Sequence, residues 1–224
     1  MLRLNISISL LFGCLVIVAQ PTRDQHPLSQ ILANTSVYVM EKDNSETIVK
    51  GSWYYSEDFK PGWILLKNST DTTQDLNLRY NIYHNIIEWR VSENEIKTLL
   101  IDRIASFGLG DDTFINTQQF ENALQGFLKY IYDGESISIY TKVSIDRKDI
   151  KAKPPFEEKN SIIFYETKDT YLQHNNILHL INTKKELETL LNDWGMKSVK
   201  FKKSDLQDDA FLRSLGGKVD AHLN

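Results

Sequence analysis

Cysteine is nearly absent from this chain: one in 224 residues, Cys14. If the segment holding Cys14 is removed, disulfides, thiol catalysis and cysteine-based zinc sites are excluded together. A chain of this length can rest on its core without disulfides. No charge dominates. The chain carries 26 Lys and Arg against 30 Asp and Glu, a net −4. It therefore lacks the basic footprint of a nucleic-acid binder. The local basic runs 148–153 and 197–203 read as solvated faces. Missing too are a phosphate-binding glycine loop, a dinucleotide fingerprint, a His-Glu-x-x-His helix and a nucleophile elbow.

Long apolar runs are also lacking, and the exception is at the N-terminus. "MLRLNISISLLFGCLVIVAQPTRD" sets Arg3 before an apolar run that ends at Ala19-Gln20. That is the layout of a secretory signal peptide. The run from Ile6 to Ala19 is interrupted by Ser7, Ser9 and Gly13, and is shorter than the ~20 residues of a membrane span. Cleavage is expected near Ala19 or Gln20, leaving no span. "LFGC" raises a minority alternative, a lipid anchor on Cys14. Phe12 and the apolar continuation through Val18 argue against it.

The rest of the chain divides into a leader at 21–34, a β-rich region at 35–182 and a helical segment at 183–224. "SVYVM", Ser36–Met40, is rich in β-formers. "WYY" and "WILL" read as strands flanking a Pro61-Gly62 turn, because Pro presets φ and Gly accepts a positive one. In "LRYNIYHNIIEWR", a two-residue turn at His84-Asn85 pairs Tyr83 with Ile86, Ile82 with Ile87 and Tyr80 with Trp89, and a four-residue loop is compatible with the same register. This register gathers Leu78, Tyr80, Ile82, Ile87, Trp89 and Val91 on one face. Asn85 tolerates the positive φ of a tight turn. On the other face Arg79 lies opposite Arg90, with Glu88 diagonal and Tyr83 and Asn81 alongside. Like charges across a pair are unfavourable unless something anionic shares them.

Asp133-Gly134 marks a second hairpin that pairs Tyr132 with Glu135, Tyr130 with Ile137 and Leu128 with Ile139, which sets Leu128, Tyr130, Ile137 and Ile139 on one face. Asn175-Asn176 marks a third turn. Pro154-Pro155 keeps the segment before it out of a central strand. Thr183 and Glu186 have the spacing of a capping box. Leu187, Leu190, Leu191 and Trp194 recur at helical spacing, and Gly195 is the stop. A second helix is expected from Ser204 to Gly216-Gly217. The fold class expected is α+β and predominantly antiparallel β: a curved sheet or partly closed barrel of hairpins, with two short C-terminal helices packed on it.

Candidate chemistry is thin. Asp111 and Asp112 in "GLGDDTF" are adjacent, so their carboxylates diverge, and a glycine turn is the simpler reading than a calcium loop. His174 and His179 share a face of one hairpin, but a metal needs a third ligand that no nearby spacing supplies. No metal or cofactor is expected. Acid pairs such as Glu157-Glu158 and Asp208-Asp209 read as surface charge, and no catalytic triad stands out. Aromatics concentrate between residues 53 and 89. Core packing accounts for most of them. An exposed aromatic surface with Trp53, Tyr83, Arg79 and Arg90 as ligand contacts is the functional alternative.

The block "GSWYYSEDFKPGWILLKNSTDTTQDLNLRYNIYHNIIEWR" resembles a family of secreted Bacteroidota β-rich proteins. Gly51, Ser52, Tyr54, Glu57, Phe59 and Gly62 match its pattern in order, as do Leu78, Arg79, Tyr80, Asn81 and Tyr83. The likeness runs through "DGESISIYTKV" and "SDLQDDAFLRSL", roughly Gly51 to Leu215. It implies export and a Gram-negative envelope as the setting, and carries no catalytic residues. The expected function is a non-catalytic binding or accessory protein of the envelope or exterior. Its partner would be an envelope protein, a glycan or an apolar ligand. The alternatives are a carrier holding an apolar ligand in a curved sheet, or an exported hydrolase with a site assembled from distant residues.

Overall fold

The computed structural model describes residues 28, 48–120, 124–151, 160–196 and 199–224. The export segment with Cys14, the strand expected at Ser36–Met40, and Pro154-Pro155 with Glu157-Glu158 lie outside them. Eleven strands make one sheet: β1 Ile48–Lys50, β2 Lys60–Leu66, β3 Thr72–Asn81, β4 Ile86–Ser92, β5 Glu95–Leu99, β6 Ile104–Leu109, β7 Asp112–Asn116, β8 Phe127–Asp133, β9 Ile137–Ile150, β10 Ser161–His174 and β11 Ile177–Leu180. Their order is β1-β10-β9-β8-β7-β6-β2-β3-β4-β5, with β11 beside β10. Among the described strands only the β1–β10 pair is parallel. Two helices come after the sheet, α1 Lys184–Asp193 and α2 Asp209–Leu223. None of the described helices is long and apolar enough to cross a membrane.

The sheet curls without closing. Four strands separate β9 from β3, yet Val143 and Ile145 of β9 pack into the same core as Tyr80 of β3. Aromatic rings fill this curl. Phe107 and Phe114 stack at 4.7 Å, and Tyr80 and Phe127 meet Phe107 edge-on at 5.5 and 4.9 Å. Each such pair adds about 0.5–1.5 kcal/mol beyond the area it buries. Leu28, from the segment read as a leader, is fully buried in this core. A second core lies between β8–β10 and the helices, built from Ile137, Ile139, Leu172, Leu187, Leu191, Leu212 and Val219.

Local rules held where the chain turns on itself. Thr183 and Glu186 form the capping box of α1, and Gly195 ends it at φ 74°. Asn175 and Asn176 take φ 49° and 67° and close β10 onto β11 as a two-residue turn. Asn85 is left-handed at φ 52°.

Four expectations need correction. Pro61-Gly62 is no turn, and "WYY" is no strand; both residues of the dipeptide lie inside β2. The Pro61 carbonyl accepts the Gly110 amide, so the N–H that Pro61 lacks would face the end of the β6 ladder, where its loss costs little. Gly62 is there for close approach: a Cβ would run into the Gly108 carbonyl, and one on Gly108 into the Trp63 indole.

The hairpin at Leu78 has a four-residue loop, Ile82–Asn85, and its register moves by two. Leu78 pairs with Trp89, Arg79 with Glu88 and Tyr80 with Ile87. A two-residue shift keeps the faces, so the expected apolar set is buried, save Val91. The loop is longer because the Asn81 side chain accepts the His84 amide, and because the Trp53 carbonyl takes the Ile82 and Tyr83 amides.

The Asp133-Gly134 hairpin pairs Asp133 with Ser138, and a bulge falls between Tyr130 and Tyr132. The bulge moves Ile131 to the helix side with Ile137 and Ile139, while Leu128, Tyr130 and Tyr140 form a small core elsewhere. Asp220 of α2 sets the turn, accepting the Glu135, Ser136 and Ile137 amides. Finally, α2 begins at Asp209, with Asp208 as its cap, and runs through Gly216-Gly217 to Leu223. Gly216 is a packing residue, since a Cβ there would strike the Tyr132 ring.

Candidate functional site

Residues 51–59 form an irregular segment laid over the end of β3. Gly51 starts it at φ 83°, where the backbone passes too close to the Phe164 carbonyl for any Cβ. The Ser52 hydroxyl accepts the Tyr54 amide at 3.0 Å. The Tyr55 amide donates to the Tyr80 carbonyl at 2.9 Å. These backbone bonds fix where the side chains of the segment stand.

Those side chains bring together all four residues singled out from the sequence. Tyr83 and Trp53 each meet Phe164 edge-on at 5.3 Å. Trp53 meets Tyr54 at 6.0 Å. The Arg79 guanidinium lies 4.0 Å from the Tyr54 ring centre and 4.4 Å from that of Phe59. Arg90 lies over the same Phe59 ring at 3.9 Å. The result is one continuous surface: Tyr83, Phe164, Trp53, Tyr54, Arg79, Phe59, Arg90.

Its two arginines differ. The observed register removes the expected Arg79–Arg90 opposition and places Glu88 across from Arg79. Arg79 donates to Glu88 through Nε at 2.9 Å and Nη2 at 2.6 Å, and to the Glu57 carbonyl at 3.2 Å. The Tyr54 hydroxyl adds a bond to Glu88 at 3.2 Å. Arg79 is therefore a neutralised, half-buried group. Arg90 is exposed and, among the described residues, has no carboxylate partner. Phe59 and Phe164 join the surface by tertiary placement, which no local spacing signals.

A second polar cluster went unforeseen. Lys129 of β8 bonds Asp112 Oδ1 at 2.9 Å, Asp209 Oδ2 at 3.1 Å and the Tyr55 hydroxyl at 3.1 Å. Tyr55 donates to Asp112 Oδ2 at 2.8 Å. Lys168 meets Asp209 Oδ1 at 2.6 Å and the Gln207 carbonyl at 3.0 Å. Burial opposes the Lys129 charge, but bonds to Asp112, Tyr55 and Asp209 outweigh it and raise the pKa. Burial, then the bond to Asp112, pushes Tyr55 up to about 12. Burial works against the Asp209 carboxylate too, yet Lys168 and Lys129 hold it below its usual range. Lys129, Tyr55 and Asp209 are thereby held in their ordinary charge states at neutral pH, the reverse of a poised acid or base.

His174 and His179 do share a face, and Trp194 lies against them at 5.0 and 6.1 Å. Burial and the neighbouring His174 lower the His179 pKa. Among the described residues no three His, Cys, Asp or Glu converge as metal ligands. Gly110-Asp111 is a two-residue turn between β6 and β7, and Asp112 points instead into the Lys129 network. His84 is exposed at its hairpin tip.

Fold and surface together define an antiparallel β protein with helices on one part of its sheet and an aromatic–guanidinium face on another. No family model, curated protein or solved structure matches the chain.

Proposed function

We propose that this is an exported envelope or secreted protein that acts by binding, without catalysis, and that its aromatic–guanidinium face takes a glycan. One observation carries the reading: side chains from three distant segments touch in an unbroken series, anchored on buried Phe164, whose terminal cation, the exposed Arg90, has no carboxylate partner among the described residues. Structural pairing alone does not call for that cation. Rings and guanidinium groups in alternation suit a hydroxylated chain, offering apolar faces to C–H groups and donors to oxygens. The N-terminal export pattern and the resemblance to secreted Bacteroidota proteins support an envelope setting.

The rivals have less behind them. A carrier needs room, and aromatic rings fill the interior of the curl. A hydrolase needs a group poised to move a proton, and the Lys129 network holds its protons firmly.

Affinity electrophoresis of the mature chain through gels carrying neutral or acidic polysaccharides tests the binding. Retardation by at least one is expected, and migration unaltered by all would overturn the proposal. Cell fractionation with N-terminal sequencing tests export. A start between Ala19 and Pro21 is expected, and an intact Met1 in the cytoplasm would count against it.

A further inference from the structure

The two open ends of the sheet are not equivalent. At one end the outer edge of β10 carries only short strands, β1 over Ile48–Lys50 and β11 over Ile177–Leu180. Gly51, at φ 83°, turns the chain away directly after β1. Short, interrupted edges resist pairing with another chain. At the other end β5, Glu95–Leu99, pairs with β4 alone, and Leu100 prolongs it in extended backbone at φ −75° and ψ 109°.

The register decides which backbone groups of β5 face outward. The Tyr80 carbonyl accepts the Tyr55 amide on the side of β3 away from β4. Along a strand, successive residues bond to opposite sides. So Arg79 bonds across to Glu88, Ile87 and Trp89 bond across to Leu99 and Lys97, and Ile96 and Thr98 point outward. Among the described residues the N–H and C=O groups of Ile96 and Thr98 have no partner. Ladder partners share a face, and Thr98 pairs with Glu88 and Ile96 with Arg90. The Ile96–Thr98–Leu100 row therefore lies on the same side of the sheet as the aromatic–guanidinium face, with Ile96 and Leu100 exposed. On the opposite side Lys97 lies 5.8 Å from the Trp89 ring centre and 3.1 Å from Glu95, and Leu99 is buried.

We propose that β5 is the interface between two copies of this chain, paired antiparallel over residues 96–100 with Thr98 opposite its own counterpart. That register sets Ile96 opposite the partner's Leu100, Thr98 opposite the partner's Thr98 and Lys97 opposite the partner's Leu99. It covers both exposed apolar side chains and makes a favourable Thr–Thr pair. The outward groups of Ile96 and Thr98 then meet those of the partner's Leu100 and the partner's Thr98. The Leu100 carbonyl accepts the Arg103 amide at 3.3 Å and keeps a second lone pair. A register centred on Lys97 brings two ammonium groups face to face, which is unfavourable. One centred on Ile96 sets Thr98 against Asn94 of the turn and leaves Leu100 exposed. The two-fold axis stands perpendicular to the sheet, so both aromatic–guanidinium faces look the same way. The two Arg90 residues lie roughly 20 Å apart, three strand spacings across and four residues along. One glycan chain reaching both faces gains from effective concentration. This twin site rests on the proposed glycan binding; the pairing stands without it.

Sedimentation velocity of the mature chain over a concentration series tests the pairing. With Cys14 removed the chain has no cysteine, so an introduced one reports the register. Facing residues of a hydrogen-bonded antiparallel pair are about 5.5 Å apart between Cα atoms, within disulfide range. The expected result is a concentration-dependent dimer in which Thr98→Cys cross-links on oxidation and Ile96→Cys does not. Leu100→Lys should melt like the parent, while its dimer dissociation constant rises at least about tenfold. In polysaccharide gels Leu100→Lys should be retarded less than the parent, although its Arg90 is intact. A monomer at every concentration, assemblies larger than a dimer, or cross-linking of Ile96→Cys in place of Thr98→Cys would overturn the proposal. A dimer that no polysaccharide retards would leave the pairing standing and remove the glycan reading.

Discussion

Two clusters of charge and aromatic rings lie on this protein, around Lys129 and around Phe59, and they differ in what remains unsatisfied. At Lys129, two cations, two carboxylates and a phenol satisfy one another. The members come from the 51–59 segment, β7, β8, β10 and the start of α2, so the network fastens α2 to the curled sheet. At Phe59, Arg79 is neutralised by Glu88, whereas no described carboxylate neutralises Arg90. Buried polar groups must be paired or they destabilise the fold. A group near solvent can stay unpaired at little cost, and such groups are the ones left for a partner. Completeness of pairing thus separates a cluster that holds the fold from one able to hold something else.

Breaking the network should have the largest effect on stability. Lys129→Met leaves two carboxylates short of a donor and should cost about 2–4 kcal/mol, tempered by the remaining Tyr55 and Lys168 bonds. Urea denaturation measures it, and polysaccharide retention by the folded variant should be unchanged. The same network sets an acid limb. The Asp209 pKa is lowered on folding, so its contribution is present above the unfolded value near 3.8 and is lost as pH falls through the lower folded value. Asp209→Asn should flatten stability against pH below about pH 4. A limb as steep as in the parent chain would remove Asp209 from the account. Tyr55 runs the other way. Its raised pKa gives stability that is present below pH 10.0 and lost as pH climbs through about 12.

Next in size is a contrast between neighbours in α2. Gly216→Ala forces a methyl into the Tyr132 ring and should destabilise by about 1–3 kcal/mol. Gly217→Ala meets open space and should stabilise by about 0.5–1 kcal/mol. Thermal melts of the two variants should move in opposite directions.

How much of this was legible in the sequence depended on range. Thr183 with Glu186 and Asn175-Asn176 act within a few residues, and each was placed correctly; Asn85 takes the expected left-handed conformation, but in a loop two residues longer than the expected turn. Pro61-Gly62 misled because the dipeptide reads as a turn when alone. The reason for Gly62 is Gly108, brought alongside only by the β2–β6 pairing. Gly216 misled likewise, for a ring 84 positions earlier in the chain. The second hairpin missed its register because Asp220, far along the chain, shapes the turn. Of the site, Trp53, Tyr83, Arg79 and Arg90 were visible as residue types in a dense stretch. Their shared surface depends on Phe59 and Phe164, and the Lys129 network on five separate segments.

The smallest stability effects belong to the exposed cluster. Phe59→Ala, from a half-buried site, should cost about 1 kcal/mol. Arg90→Ala should cost less than about 1 kcal/mol, the scale of an exposed cation–π contact. Both should nonetheless reduce binding, because the guanidinium at the end of the surface has no other task in the described fold.

That separation is tested most directly by affinity electrophoresis of the parent chain beside Arg90→Ala and Lys129→Met, with urea curves for all three. The parent and folded Lys129→Met are expected to be retarded alike, while Arg90→Ala migrates freely at nearly parental stability. Equal retardation of Arg90→Ala and the parent, or loss of retardation only in Lys129→Met, would contradict it.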